Sequence, residues 1–127
     1  MTKHQNLIKR LDDLTRKQIK LRDGFCCQYS DKSIADGYTV IDWAHIITRG
    51  SGSLLLRWHS ANSLCLTRKW HTFFDAHPDT KMEWFKWKFP ARYKLITELD
   101  RLPVKTIRTN ELEELLALKK LEMKEAQ

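Results

Sequence analysis

Cysteine is scarce in this chain of 127 residues: there are three, at Cys26, Cys27 and Cys65. An odd number with an adjacent pair makes a poor disulfide framework, because neighbouring cysteines staple no loop. A four-cysteine zinc site is arithmetically excluded, although a mixed site that includes histidine is not. Long apolar runs are also missing. Nothing approaches the roughly 20 residues that a bilayer-spanning helix needs, and Met1 opens a polar, basic segment rather than a signal peptide. The expectation is a cytoplasmic protein of one domain, residues 1-127, with no membrane partner. A small domain without a staple must find its burial elsewhere. Five tryptophans, five phenylalanines and leucine-rich helices have to supply it.

The formal charge of +7 is unevenly placed. Residues 98 to 127 hold six basic and seven acidic side chains, a net of −1, so the first 97 carry +8. That excess favours a polyanion partner, most simply nucleic acid.

Leu7, Leu11, Leu14 and Ile19 recur near helical spacing over residues 5–21, and Asp23-Gly24 should stop that helix. "FCCQYS" reads as a short strand or knuckle, "YTVIDWAHII" as a strand, and Gly50 and Gly52 as a flexible loop. "LLLRWHSANS" runs through a short strand or turn to Asn62. A helix is predicted from about Leu66 to Ala76, closed by His77-Pro78. Thr80 with Glu83 would cap the next helix, which runs to Pro90. Helix continues over 91–102, and Asn110 with Glu113 would cap a last one bearing Leu112, Leu115, Leu116 and Met123. This helix could fold back on the core or pair with another subunit. The aromatic run "MEWFKWKF", with Trp84 and Trp87 three apart, suits packing better than base stacking.

The informative part is central. His45 sits on a predicted strand, Asn62 seventeen residues later near the next strand, and His71 nine residues further on a helix. Taken with "AHIITRG", "LLLRWHSAN" and "LTRKWH", this order and spacing resembles the HNH endonuclease family over about residues 16-85. The resemblance implies an α+β fold: an HNH ββα-metal core built on a short β-hairpin, flanked by N-terminal and C-terminal helices, the latter an extension over about 91-127. Many relatives carry phrases like RDGFxCxxC and LCxxCH. Here the four corresponding zinc positions fall on Cys27, Ser30, Thr67 and Trp70, so no structural zinc is expected, and Trp70 would fill part of the space.

By the same resemblance the chain would be a metal-dependent DNA endonuclease, similar to small phage members of the family, working in a bacterial or phage-infected cell. His45 would be the general base, since an imidazole titrates near neutrality. Asn62 would position the loop or His45, and His71 would bind one divalent metal, Mg, Mn, Ni or Zn. Asp75, one helical turn after His71, shares its face and is a candidate ligand, with His77 as competitor. Many relatives have Asp or His before the base, where this chain has Ala44. Asp42 is the nearby carboxylate, but strand alternation puts it with Ala44 and opposite His45.

Arg49, Arg57, Arg68 and Lys69 surround the motif and are candidate phosphate contacts to DNA, most simply double-stranded. A homodimer through the C-terminal helix would let one site per chain address both strands. His4 and His59 show no comparable arrangement, and the cysteines read as small buried groups. The competing function is a noncatalytic DNA-binding protein derived from the same fold. An RNA-binding or protein-interaction domain needs only the basic surface and leaves His45, Asn62 and His71 unexplained.

Overall fold

The computed structural model describes residues 1–48, 54–103 and 106–125. Within them the architecture is α+β: six α-helices and one two-stranded antiparallel hairpin. No helix among the described residues is long and apolar enough to cross a membrane. Arg49 and the Gly50/Gly52 loop lie outside the described residues.

Helix α1 (Lys3–Arg22) starts two residues before the predicted span, because Thr2 and Gln5 form a capping box: Thr2 Oγ1 accepts the Gln5 N–H at 3.1 Å and Gln5 Oε1 accepts the Thr2 N–H at 2.9 Å. It buries Leu7, Leu11, Thr15 and Ile19, a spacing of four that keeps one face inward. The helix ends where Gly24 (φ 64°) and Phe25 (φ 53°) both turn left-handed, a conformation free for glycine and costly for phenylalanine. Arg22 and Asp23 then tie this corner to the hairpin. Arg22 donates to the Ser60 and Ser63 carbonyls at 2.7 and 2.9 Å, and the Asp23 carboxylate accepts the Cys65 N–H at 2.9 Å.

Strand β1 (Ile41–His45) pairs with β2 (Ser63–Thr67), with Ile41 opposite Thr67 and His45 opposite Ser63. β1 is shorter than the apolar run because the Asp36 carboxylate takes the N–H groups of Tyr38 and Thr39 at 2.8 and 2.7 Å, making a turn where a ladder was expected. Between the strands lies α2 (Leu54–Trp58), a helical turn rather than the predicted strand or turn. Helical offset explains it. A strand would put Leu56 and Trp58 on one face, whereas here Leu56 enters the main core and Trp58 a second cluster. β2 also extends past Leu66 to Thr67, whose hydroxyl caps α3 (Arg68–Ala76) by accepting the Trp70 N–H at 3.5 Å.

Helices α4 (Pro78–Lys88) and α5 (Pro90–Asp100) each place proline at the first turn, where its missing N–H costs nothing. The expected Thr80–Glu83 cap is therefore not used. Phe85, Trp84 and Phe89 pack on the main core with Phe74, but Trp87 is 77% exposed, so the run is only partly a packing surface. The last helix, α6 (Thr109–Glu125), begins one residue before Asn110. Glu111 reaches back to the Arg108 N–H at 3.2 Å, and Glu113 pairs with Lys3 at 2.8 Å instead of closing a cap. α6 folds back on α1, and Leu112 and Leu116 join Leu7, Leu11, Trp58 and Ile107 in the second cluster.

The four positions aligned with zinc cysteines do meet. Cys27 Sγ accepts the Ser30 N–H at 3.4 Å and lies 3.9 Å from Thr67 Oγ1, while Trp70 packs against Tyr29 with ring centroids 4.4 Å apart. Burial raises the Cys27 thiol, but hydrogen bonds from Ser30, Thr67 and Tyr29 outweigh it and leave the pKa lowered. Hydrogen bonding and aromatic packing hold the knuckle closed.

Candidate functional site

Strand alternation divides β1 into two faces. Trp43 and His45 share one, with ring centroids 4.4 Å apart, and the Arg16 guanidinium of α1 lies 5.6 Å from the Trp43 ring centroid. Asp42 and Ala44 share the other, toward α3. His45 Nε2 is 2.9 Å from the Arg57 carbonyl oxygen. A carbonyl only accepts, so a proton belongs on Nε2.

Asn62 is completely buried and holds the segment after His45 in place. Its Oδ1 accepts the Ile47 N–H at 2.9 Å, and its Nδ2 donates to the Ile47 and Leu56 carbonyls, each at 3.0 Å. The side chain thus clamps the chain leaving β1 to α2 just before β2 begins. It is not a loop residue facing solvent.

On the α3 face three predicted ligands line up. His71 Nδ1 lies 3.0 Å from Asp42 Oδ2, and His71 Nε2 lies 3.3 Å from Asp75 Oδ2. Arg68 covers Asp42 with two bonds, Nε to Oδ2 at 2.9 Å and Nη2 to Oδ1 at 3.1 Å. Burial raises the Asp42 carboxyl, but the hydrogen bonds and charges of Arg68 and His71 more than offset this and hold it below the ordinary carboxylate value. These residues, with Arg16, Trp43 and Thr72, line an open cleft of about 540 Å³.

His77 is not part of this cleft. It sits at the α3–α4 junction, stacked on Phe73 with centroids 4.3 Å apart and its Nδ1 2.9 Å from the Phe73 carbonyl. Arg57 is paired with Asp12 of α1, Nε to Oδ1 at 3.0 Å and Nη2 to Oδ2 at 2.7 Å, and the Trp58 indole donates to the same carboxylate at 2.8 Å. A phosphate contact through Arg57 would require breaking that pair. Lys69 lies 5.2 Å from the Trp70 ring centroid, on the outer side of α3 near the exposed Tyr38. His4 and His59 are used locally, on Thr109 Oγ1 and the Ala61 N–H, each at 3.1 Å.

Sequence reasoning missed Arg16, Asp12 and Lys81. In sequence, Arg16 and Asp12 are simply charges between the apolar positions of α1. Lys81 is 2% exposed, and its ammonium lies 3.3 Å from the His45 carbonyl oxygen and 3.4 Å from Asp75 Oδ1. It stands between Asp79 and Glu83 one turn into α4, where the sequence gives nothing to mark it as buried.

By donor chemistry, a carboxylate, an imidazole and a second carboxylate in contact suit a divalent metal. Their present arrangement is one of ion pairing: among the described residues no group of three or more His, Cys, Asp or Glu side chains is disposed to hold a metal ion as it stands. Asp42 and Asp75 lie on opposite nitrogens of His71, so a metal taking all three would have to move at least one carboxylate as well as displace the cations now on both. Comparison with protein-family models, curated proteins and solved structures finds no match to this chain.

Proposed function

We propose that this chain is a DNA endonuclease of the HNH type, hydrolysing phosphodiester bonds with His45 as general base and one divalent metal held by His71, Asp75 and Asp42. The observation that carries the reading is the acid–imidazole–acid line that Asp42 of β1 makes with His71 and Asp75 of α3, with His45 on the opposite face of the same strand and its Nε2 set against the Arg57 carbonyl. The Arg57 carbonyl keeps the proton on His45 Nε2, so Nδ1 is the atom that takes a proton from water. Asn62 keeps the segment after the base at fixed distance from α2, which preserves that orientation. A bound divalent metal supplies Lewis acidity to a nonbridging phosphate oxygen and to the leaving 3′ oxygen. Arg16 and Arg68 at the cleft, and Lys69 on the neighbouring surface near Tyr38, offer cations to the phosphates of double-stranded DNA. A homodimer through α6 would use its outward Leu118 and Leu121, because the inward face is spent on α1.

A second reading, a noncatalytic DNA-binding protein on the same scaffold, is favoured by Ala44 and by the cations already paired with Asp42 and Asp75. Conversion of supercoiled plasmid to nicked and linear forms separates the two, comparing wild type with His45→Ala in magnesium, manganese, nickel and zinc. Metal-dependent cleavage lost in a folded His45→Ala supports the nuclease. No cleavage in any metal by folded, DNA-binding wild type supports the second reading.

A further inference from the structure

The mechanism above makes no use of Lys81, yet Lys81 is the most deeply buried cation beside the cleft. Removing an ammonium from water is costly unless fixed partners repay it. Here the repayment comes from Asp75 and from the carbonyl of His45, the proposed base. The lysine comes from α4, reaches across the end of α3, and meets β1 next to Ala44, whose methyl is itself buried. It therefore brings a positive charge to the α3 face of the strand beside the residue that offers no ligand atom.

The two cations on this donor line differ in how firmly they hold. The Arg68 side chain is 74% exposed, so water screens its pull on Asp42 and can replace it cheaply. The Lys81 side chain is 3% exposed and so is held in place, although the Asp75 carboxylate it faces is 50% exposed and water screens part of its pull. A divalent metal approaching Asp75 must both take the carboxylate from this ammonium and tolerate its charge nearby. Both effects act in the same direction.

We infer that Lys81 sets the metal affinity of the site, its buried ammonium competing with a divalent metal for Asp75. This rests on the metal-dependent reading proposed above and adds to it a residue that weakens metal binding. With Lys81 in place, Asp75 carries a resident cation and metal occupancy needs a high free metal concentration. Removing that charge frees Asp75 for the metal while leaving the other donors, Asp42 and His71, unchanged.

The test is calorimetric titration of Mn²⁺ into the full chain, comparing wild type, Lys81→Met, Lys81→Gln and Asp75→Asn, with circular dichroism confirming that each is folded. Methionine keeps length and apolar bulk where the stem is buried; glutamine keeps a donor for the His45 carbonyl should methionine not fold. The neutral variants are expected to bind Mn²⁺ roughly tenfold tighter than wild type, and Asp75→Asn to bind more weakly. A gain below about threefold, or a loss, in a folded neutral variant overturns the inference while leaving metal binding by wild type in force. Absence of Mn²⁺ binding by wild type and by both neutral variants overturns the inference and the metal-dependent reading together.

Discussion

Replacing Asn62 gives the sharpest test of how the region around His45 is held. The side chain is fully buried and makes three hydrogen bonds, one accepted from the Ile47 N–H and two donated to the Ile47 and Leu56 carbonyls. Each is worth about 1 kcal/mol net, and truncation also strands polar groups, so Asn62→Ala should cost about 3 kcal/mol. With an unfolding entropy of roughly 2.1 cal/mol/K per residue, a chain this long would lose about 10 °C in Tm. Asn62→Asp is the more telling variant, because it keeps the volume and replaces the amide donor with an oxygen facing two carbonyls. At neutral pH it should be less stable than the alanine variant. Thermal unfolding by circular dichroism measures both, and hydrogen exchange at Ile47 reports the clamp locally. An Asp variant as stable as wild type, or unchanged Ile47 protection in Asn62→Ala, would refute the clamp.

Asp12→Ala should destabilise the chain by about 2 kcal/mol, because it removes a half-sheltered partner of both Arg57 and the Trp58 indole. Urea unfolding of Asp12→Ala, Arg57→Ala and the double variant should be non-additive, and additive losses would sink the coupling. Asp42 gives a pH prediction. Its folded pKa is depressed, so its contribution to stability is present above the ordinary value of 3.8 and is lost as pH falls below that through the lowered value. Wild type should therefore lose more stability than Asp42→Asn between about pH 5 and pH 2; parallel urea midpoints over that range would contradict the assignment.

Periodicity made α1 and α6 legible, since each keeps an apolar face over many turns. The hairpin was harder. The end of its second strand, Leu66 and Thr67, falls where propensity starts the next helix, and only the Thr67 cap places the boundary after it. The α2 turn was not readable at all, because Leu56 and Trp58 serve different clusters and no single period describes them. Caps failed wherever proline stood nearby: Thr80–Glu83 has the right spacing, but Pro78 had already started α4. Asn110–Glu113 failed for a different reason, with Glu111 satisfying the Arg108 N–H first and Glu113 spent on Lys3.

The site shows the same division between what spacing carries and what tertiary placement adds. Spacing of four on one helix puts His71 beside Asp75, whereas alternation on one strand says only that Asp42 lies opposite His45, and packing decides that its face meets α3. Cations behave otherwise. Arg57 lies next to the motif in sequence yet spends its charge on Asp12, forty-five residues away, while Lys81, with no motif around it, arrives from α4 at the Asp75 end of the donor line. A long flexible side chain finds its partner in space, and its neighbours in sequence say little about where that is. Charge balance at this site is therefore a tertiary property, and the affinity of its carboxylates for any external cation depends on residues that local pattern does not mark.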